Sequence, residues 1–311
     1  MALQEKYLNP FTDFGFKKLF GSEPNKDLLI DFLNQLLPPH HQIQDLSFTR
    51  TEQLGASEID RKAIFDLYCI SQSGERFIVE MQKAKQNYFK DRSVYYATFP
   101  IQEQAKRGDW NFNLAAVYLV GILDFVFAED KDDHDVCYRV QLKDQENRIF
   151  YDKLTFIYLE MPKFSKTEAE LETAFDKWLY VLKHLPDLTA RPARLQERVF
   201  AKLFEAAEIG KFNREELEQY ENSLKYYRDL KNVIDTAAIE GRAEGRAEGR
   251  AEGSAEGSAE GRAEGRAEGI IEGQNEKAIE VARKGLARNL LLADIAELTG
   301  LSEEEIAALQ Q

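Results

Sequence analysis

The chain has 311 residues and a formal net charge of −14, enough for about two domains and too acidic for a chain-wide basic surface of the kind that coats nucleic acid. Its 43% hydrophobic and 31% charged content fits packed globular cores. It contains no apolar run of the ~18 residues a membrane span needs.

The opening MALQEKYLNPF lacks the basic-then-apolar pattern of a signal peptide. Cys69 and Cys137 each sit alone in a strand-like run, which reads as reduced core thiols in a cytoplasmic protein, with a disulfide as the alternative. His40, His41, His134 and His184 show no zinc-ligand spacing. The charge is uneven. From Lys83 to Arg107 there are six bases against two acids, and from Glu240 to the end sixteen acids against nine bases. A local basic patch can therefore hold phosphates while the acidic tail keeps the chain in solution.

In chain order, residues 11–20 and 26–37 read as two short helices. Leu28, Leu29, Phe32, Leu33, Leu36 and Leu37 recur at helical spacing, and Pro38-Pro39 ends the second helix. Residues 43–49, 63–70 and 76–82 read as strands, 85–106 as a long helix, and 114–123 as a fully buried strand around VYLVGIL. Residues 136–142 and 154–159 are further strands. After Lys166 the pattern turns helical, over 169–185, 195–208 and 214–234.

A four-residue repeat follows, GRAEGRAEGRAEGSAEGSAEGRAEGRAEG. Glycine at every fourth position costs a lone helix about 1 kcal/mol each, and like charges recur at i,i+4. A solvated helix and a flexible spacer both remain open; a spacer without chemistry is the expectation. The tail returns to short amphipathic helices with Gly300 at a turn. LLLADIAELTGLSEEEIAALQQ has the outline of a helix-turn-helix, but SEEEIAAL at the second helix repels phosphate, so an oligomerisation or protein-contact module is expected; with the helical region 166–234 also able to contribute, a homodimer is expected.

The chemistry is expected in AIFDLYCI and RFIVEMQ. If Gln72-Ser73-Gly74 is a three-residue hairpin loop ending on a left-handed glycine, Ile70 pairs with Arg76 and Asp66 falls opposite Glu80. Opposed residues share a face about 5 Å apart at Cβ, where like charges are unfavourable. Gln82, two residues on, shares that face. A divalent cation resolves the conflict, because hard cations take carboxylate oxygens together with phosphate and water. The plain alternative is two acids on an exposed strand face, and one residue of slip would separate them.

The segment FDLYCISQSGERFIVEMQKAKQNYFKDRSVYYATFPIQEQ, the opening NPFTDFGFKKLFGSEPNKDLLIDFLNQLL and the run around VYLVGIL closely resemble the recombination-promoting nucleases, or PD-(D/E)XK family transposases. The resemblance covers about residues 5–160 strongly and the later helices loosely. It implies an α/β, restriction-endonuclease-like αβββαβ core with a mainly helical C-terminal extension. The implied division is a nuclease-like domain over 1–165, a helical extension over 166–235, the repeat spacer over 236–273 and a short helical tail over 274–311. It also implies a magnesium-dependent endonuclease acting on DNA in recombination, mobile elements or defence; a catalytically weak binding module on the same scaffold is the alternative.

Asp66 and Glu80 match the metal-binding acids. Gln82 stands where the superfamily usually has lysine, so it can orient water but cannot donate positive charge. Lys83 follows it, on the other face of a regular strand. Asp13 matches a further acid, as a metal ligand or a helix N-cap. Lys17, Lys85 and Arg92 are the phosphate-contact candidates, with Lys90 also in reach of the basic helix. Tyr96 and Gln102 match supporting positions.

Overall fold

The computed structural model describes residues 5–53, 63–85, 88–105, 111–127, 129, 131, 133–287 and 291–309. Two units are distinguished, Met1–Asp235 and Thr236–Gln311.

The first unit begins with α1 (Asp13–Phe20) and α2 (Lys26–Leu36), whose apolar faces are buried. Then come β1 (Leu46–Phe48), β2 (Glu52–Gln53), β3 (Ala63–Ile64), β4 (Leu67–Ser71) and β5 (Arg76–Gln82). α3 (Phe89–Gln102) crosses to β6 (Val117–Leu123), and β7 (Cys137–Lys143) and β8 (Ile149–Glu160) follow. The sheet has six strands in the order β1-β4-β5-β6-β8-β7. β5, β6 and β8 run parallel; β1-β4, β4-β5 and β7-β8 are antiparallel. β2 and β3 form a separate pair.

The central position of β6 explains its sequence. VYLVGIL is buried throughout, as a parallel strand covered on both faces must be. Alternate residues enter two cores. Tyr118, Val120 and Ile122 join Phe77, Val79 and the helices α1 and α2; Val117, Leu119 and Leu123 join Ile78, Phe89 and Phe99 under α3.

The helical region after the sheet packs into the first of these cores. α4 (Ala174–His184) starts at a capping box between Thr173 and Asp176. α5 (Arg198–Ala207) follows. Trp178, wholly buried, lies against Phe20, Phe32 and Phe200 at ring separations of 5.2–5.8 Å, and its indole N–H donates to Asp31. Burying aromatic side chains of this size contributes roughly 1.5–3 kcal/mol each.

Several expectations shift. The strand expected at 43–49 shortens to β1, and the one at 63–70 is broken between Ile64 and Leu67. There the Asp66 N–H leaves the ladder to bond a side chain on β5. The helix expected at 85–106 narrows to α3; Gln86, Asn87, Lys106 and Arg107 lie outside the described residues. The helix expected at 214–234 does not stop. It runs on as α6 (Arg214–Ala287), so the repeat is helix rather than flexible spacer.

In the second unit, α7 (Leu292–Thr299) and α8 (Glu303–Ala308) fold against the end of α6, burying Ala282, Ile295 and Ile306. Gly300 takes φ 73° to cap α7. Gly285 is needed because a Cβ there would meet Ile295 Cγ1 at 2.8 Å. Cys69 and Cys137 are both free. Among the described residues no helix is long and apolar enough to cross a membrane.

Candidate metal and phosphate site

The site rests on the β4-β5 hairpin. Gly74 adopts φ 93°, the left-handed conformation the loop requires. The Ser71 N–H donates to the Glu75 carbonyl at 2.9 Å and the Gly74 N–H to the Ser71 carbonyl at 3.0 Å. The register is the expected one, Ile70 with Arg76 through Leu67 with Val79. Continued by one residue, it brings Asp66 level with Glu80.

Asp66 sits at the bend just before β4, and each acid is tied to the other's strand. The Asp66 N–H donates to Glu80 Oε1 at 3.2 Å, and the Met81 N–H donates to Asp66 Oδ2 at 2.7 Å. Gln82 Nε2 donates to Glu80 Oε2 at 3.2 Å, within a buried pair. Glu80 is only 3% exposed. Burial, and then the neighbouring Asp66 charge, push its carboxyl up to about 8. Asp66 is likewise raised, chiefly by burial and also by Asp13, against the pull of the Met81 N–H, Lys17 and Lys83.

α3 closes the site from above. The Arg92 guanidinium stands 4.0 Å from Glu80 Oε2. It is held over the rings of Phe89 and Tyr96, at 5.0 and 5.5 Å. Tyr96 is half-buried, edge-on to Phe65 at 5.2 Å. Burial and then Glu80 raise its phenol above the ordinary range. Gly121 on β6 is paired with Glu80 and leaves room for the Tyr158 ring of β8. A Cβ at Gly121 would lie 3.1 Å from the Tyr158 ring and 3.6 Å from Phe89.

Asp13 is not the N-cap of α1. Thr12 takes that place, its hydroxyl accepting from the Gly15 N–H. Asp13 is the first helical residue, exposed and paired with Lys17 at 3.0 Å. Both charges are felt at Asp66. Among the described residues no three His, Cys, Asp or Glu side chains gather as a metal cluster, so Asp66 and Glu80 stand as a pair. Lys85 is exposed and its charge is felt at Glu129, which pairs with Lys90. Gln102 is exposed at the last residue of α3, about 9 Å along the axis beyond Tyr96. These two are not drawn to the acids.

Two features escaped the sequence reading. β5 ends at Gln82, so strand alternation no longer fixes Lys83. Its ammonium lies 5.6 Å from the Tyr226 ring centre. Burial lowers its pKa while Asp13 and Asp66 work the other way. Asp124, just past β6, donates its N–H to the Gln82 carbonyl at 2.9 Å and accepts from the Tyr227 hydroxyl at 3.0 Å. It anchors the Gln82 backbone to α6. Nothing in the sequence signals that contact, because it joins residues 103 apart.

The donor set fits a hard divalent cation. Two carboxylates are held side by side, both raised by burial, with the Gln82 amide beside them. A dehydrated acid pair of this kind is stabilised by a cation that takes its oxygens and completes its sphere with water or phosphate.

A family model described as PD-(D/E)XK nuclease family transposase matches residues 10–237. Neither the curated proteins nor the solved structures contain a match to the chain.

Proposed function

The chain belongs to the PD-(D/E)XK nuclease family transposases and carries their restriction-endonuclease-like core, and on that premise we propose that it is a divalent-cation-dependent endonuclease that hydrolyses phosphodiester bonds in DNA. The observation that carries this reading is the reciprocal bonding of Asp66 and Glu80, which holds two raised carboxylates on one face of the sheet. Family nucleases generally use divalent metal ions, and Mg2+ is the proposed one here.

Asp66 and Glu80 would hold the cation, with Asp13 as an outer acid. When bound, the cation supplies Lewis-acid polarisation of the scissile phosphate and lowers the pKa of water. Gln82 keeps Glu80 in place through its amide N–H, leaving its amide oxygen to orient the attacking water. Arg92, whose planar donors suit phosphate oxygens, and Lys17 contact the DNA backbone, with Lys85 and Lys90 farther out. Tyr96 holds the Arg92 guanidinium in place, and Gln102 belongs to the outer support. Affinity from such contacts falls with salt. The setting proposed is recombination, mobile elements or defence, in the cytoplasm, as a homodimer.

A neutral Gln82 at the usual lysine position favours a second reading, a weak or silent nuclease that binds nucleic acid. Nicking of supercoiled plasmid by purified protein, with Mg2+ or with EDTA, separates the two. The first reading predicts Mg2+-dependent nicking that Asp66→Ala abolishes. Equal nicking by wild type and a folded Asp66→Ala protein would reject the assignment, and binding without nicking would favour the second reading.

A further inference from the structure

The repeat from Gly241 to Gly273 plays no part in the chemistry above. α6 carries it as unbroken helix, although its composition opposes a lone helix. Glycine recurs at every fourth residue, at about 1 kcal/mol each relative to alanine. Gly241, Gly245, Gly269 and Gly273, the repeat glycines whose surroundings are described, do not serve close packing within the chain, since a Cβ at any of them meets nothing within 4 Å.

The charges make the same point. Arginine stands four residues from arginine and glutamate four from glutamate, as at Arg242 and Arg246, or Glu240 and Glu244. Residues at i,i+4 are neighbours on a helix, so these like pairs repel. Arginine and glutamate are only ever two residues apart, on different sides, and do not meet. Within one helix the side-chain electrostatics of the repeat are therefore repulsive throughout.

Between two helices the sign reverses, for one orientation only. From Gly241 to Gly265 each glycine is followed by arginine, or by serine at Ser254 and Ser258, and every glycine of the repeat is preceded by glutamate. At about 100° per residue, the arginine row runs along one flank of the glycine row and the glutamate row along the other. Two copies set side by side, glycine row to glycine row and pointing the same way, are related by an axis parallel to the helices. The arginine row of each then lies beside the glutamate row of its copy, on both flanks. Turning one copy end for end sets arginine against arginine and glutamate against glutamate.

We propose that this repeat is a self-pairing element, which joins two copies of the chain as parallel, in-register helices. Ile239, Ile270 and Ile271, 66%, 60% and 65% exposed at the two ends of the repeat, mark the register, because a slide by one repeat replaces each isoleucine's like partner with Asp235 or Ala243, Arg266 or Gln274, and Ala267 or Asn275. A period of four, longer than 3.6, makes the pair wind right-handed. A parallel pair also tethers both N-terminal units at the same end, so two nuclease units are delivered together. The pairing itself does not depend on the nuclease reading.

The test is disulfide trapping in the full-length chain, in a Cys137→Ser background. Gly245→Cys is compared with Ala169→Cys, an exposed position outside the repeat. Under mild oxidation Gly245→Cys should form linked dimer at least about tenfold faster, as a high effective concentration requires. In an equimolar mixture of Gly245→Cys and Gly269→Cys chains, parallel pairing gives links between like positions. Replacing the five arginines of the repeat (Arg242, Arg246, Arg250, Arg262, Arg266) with glutamate should remove the rapid linking at position 245 without changing the melting of the N-terminal unit. Linking no faster than at Ala169, a mixture dominated by 245-to-269 links, or undiminished linking after the arginine replacement would each overturn the proposal.

Discussion

Two buried glutamates lie in one sheet, Glu160 at the end of β8 and Glu80 within β5, and they are treated differently. Glu160 is wholly buried and is matched by a full opposite charge. Lys163 lies 2.7 Å from Oε2, and the Phe127 N–H donates to Oε1 at 2.6 Å. Although burial works against it, the bonds to Glu160 and Tyr138 hold the Lys163 ammonium above the usual lysine range. Glu80, in β5, has a looser set: a guanidinium at 4.0 Å, a 3.2 Å amide bond and a second acid beside it. The first glutamate is matched within the protein. The second lacks a matching countercharge, so it holds a proton near neutral pH, and a cation that displaces the proton supplies the charge the protein does not. Burial alone does not separate a structural acid from a functional one; the strength of the countercharge does.

The largest effects should come from removing the members of each pair. Glu80→Gln and Asp66→Asn should lower nicking by a factor of about 10³ or more, on the scale of losing a principal electrostatic contributor to catalysis, yet leave the melting temperature unchanged or raised. Glu160→Ala should do the opposite at the level of stability. It strands a buried ammonium, at a cost of about 3–5 kcal/mol, read as a large drop in denaturant midpoint. Comparable loss of stability in Glu80→Gln would erase the contrast.

The next effect is pH-dependent. The Glu80 carboxyl moves from its ordinary 4.5 to about 8 on folding. Between those values the folded chain keeps a proton that the unfolded chain releases, so stability falls as pH rises through that window. Below it both states are protonated and no penalty exists. Metal-free wild type should therefore lose stability from about pH 4.5 to 8 relative to Glu80→Gln, as urea denaturation at each pH would show. Saturating Mg2+ should remove most of the difference. Parallel pH curves for the two proteins would contradict the assignment.

A smaller effect is expected at Gly121. Gly121→Ala places a methyl 3.1 Å from the Tyr158 ring, beneath α3. Overpacking of this kind costs about 1–3 kcal/mol, and because α3 carries Arg92, DNA affinity should fall more than the metal affinity. Filter binding and calorimetry would separate the two readouts. Equal loss in both would place Gly121 in general packing alone.

Much of this was legible in the residues. The Gly74 turn and the alternation in RFIVEMQ specify the register that brings Asp66 to Glu80, because turn geometry and pleat leave little freedom. The buried run VYLVGIL announced a central strand. What stayed hidden depends on long-range contact or on strand ends. Lys83 escaped because β5 stops one residue earlier, where alternation lapses. Asp124 escaped because its partners, Gln82 and Tyr227, are distant in sequence. The helical state of the repeat was left open because single-chain propensity argues against it.

The central claim is that the Asp66–Glu80 pair is short of positive charge and takes it from a divalent cation. Calorimetric titration of Mn2+ or Mg2+ into metal-free wild type and Asp66→Ala, both verified as folded, tests it most directly. The account predicts saturable binding to wild type that is lost in Asp66→Ala. Equal binding by both proteins, or none by either, would contradict it.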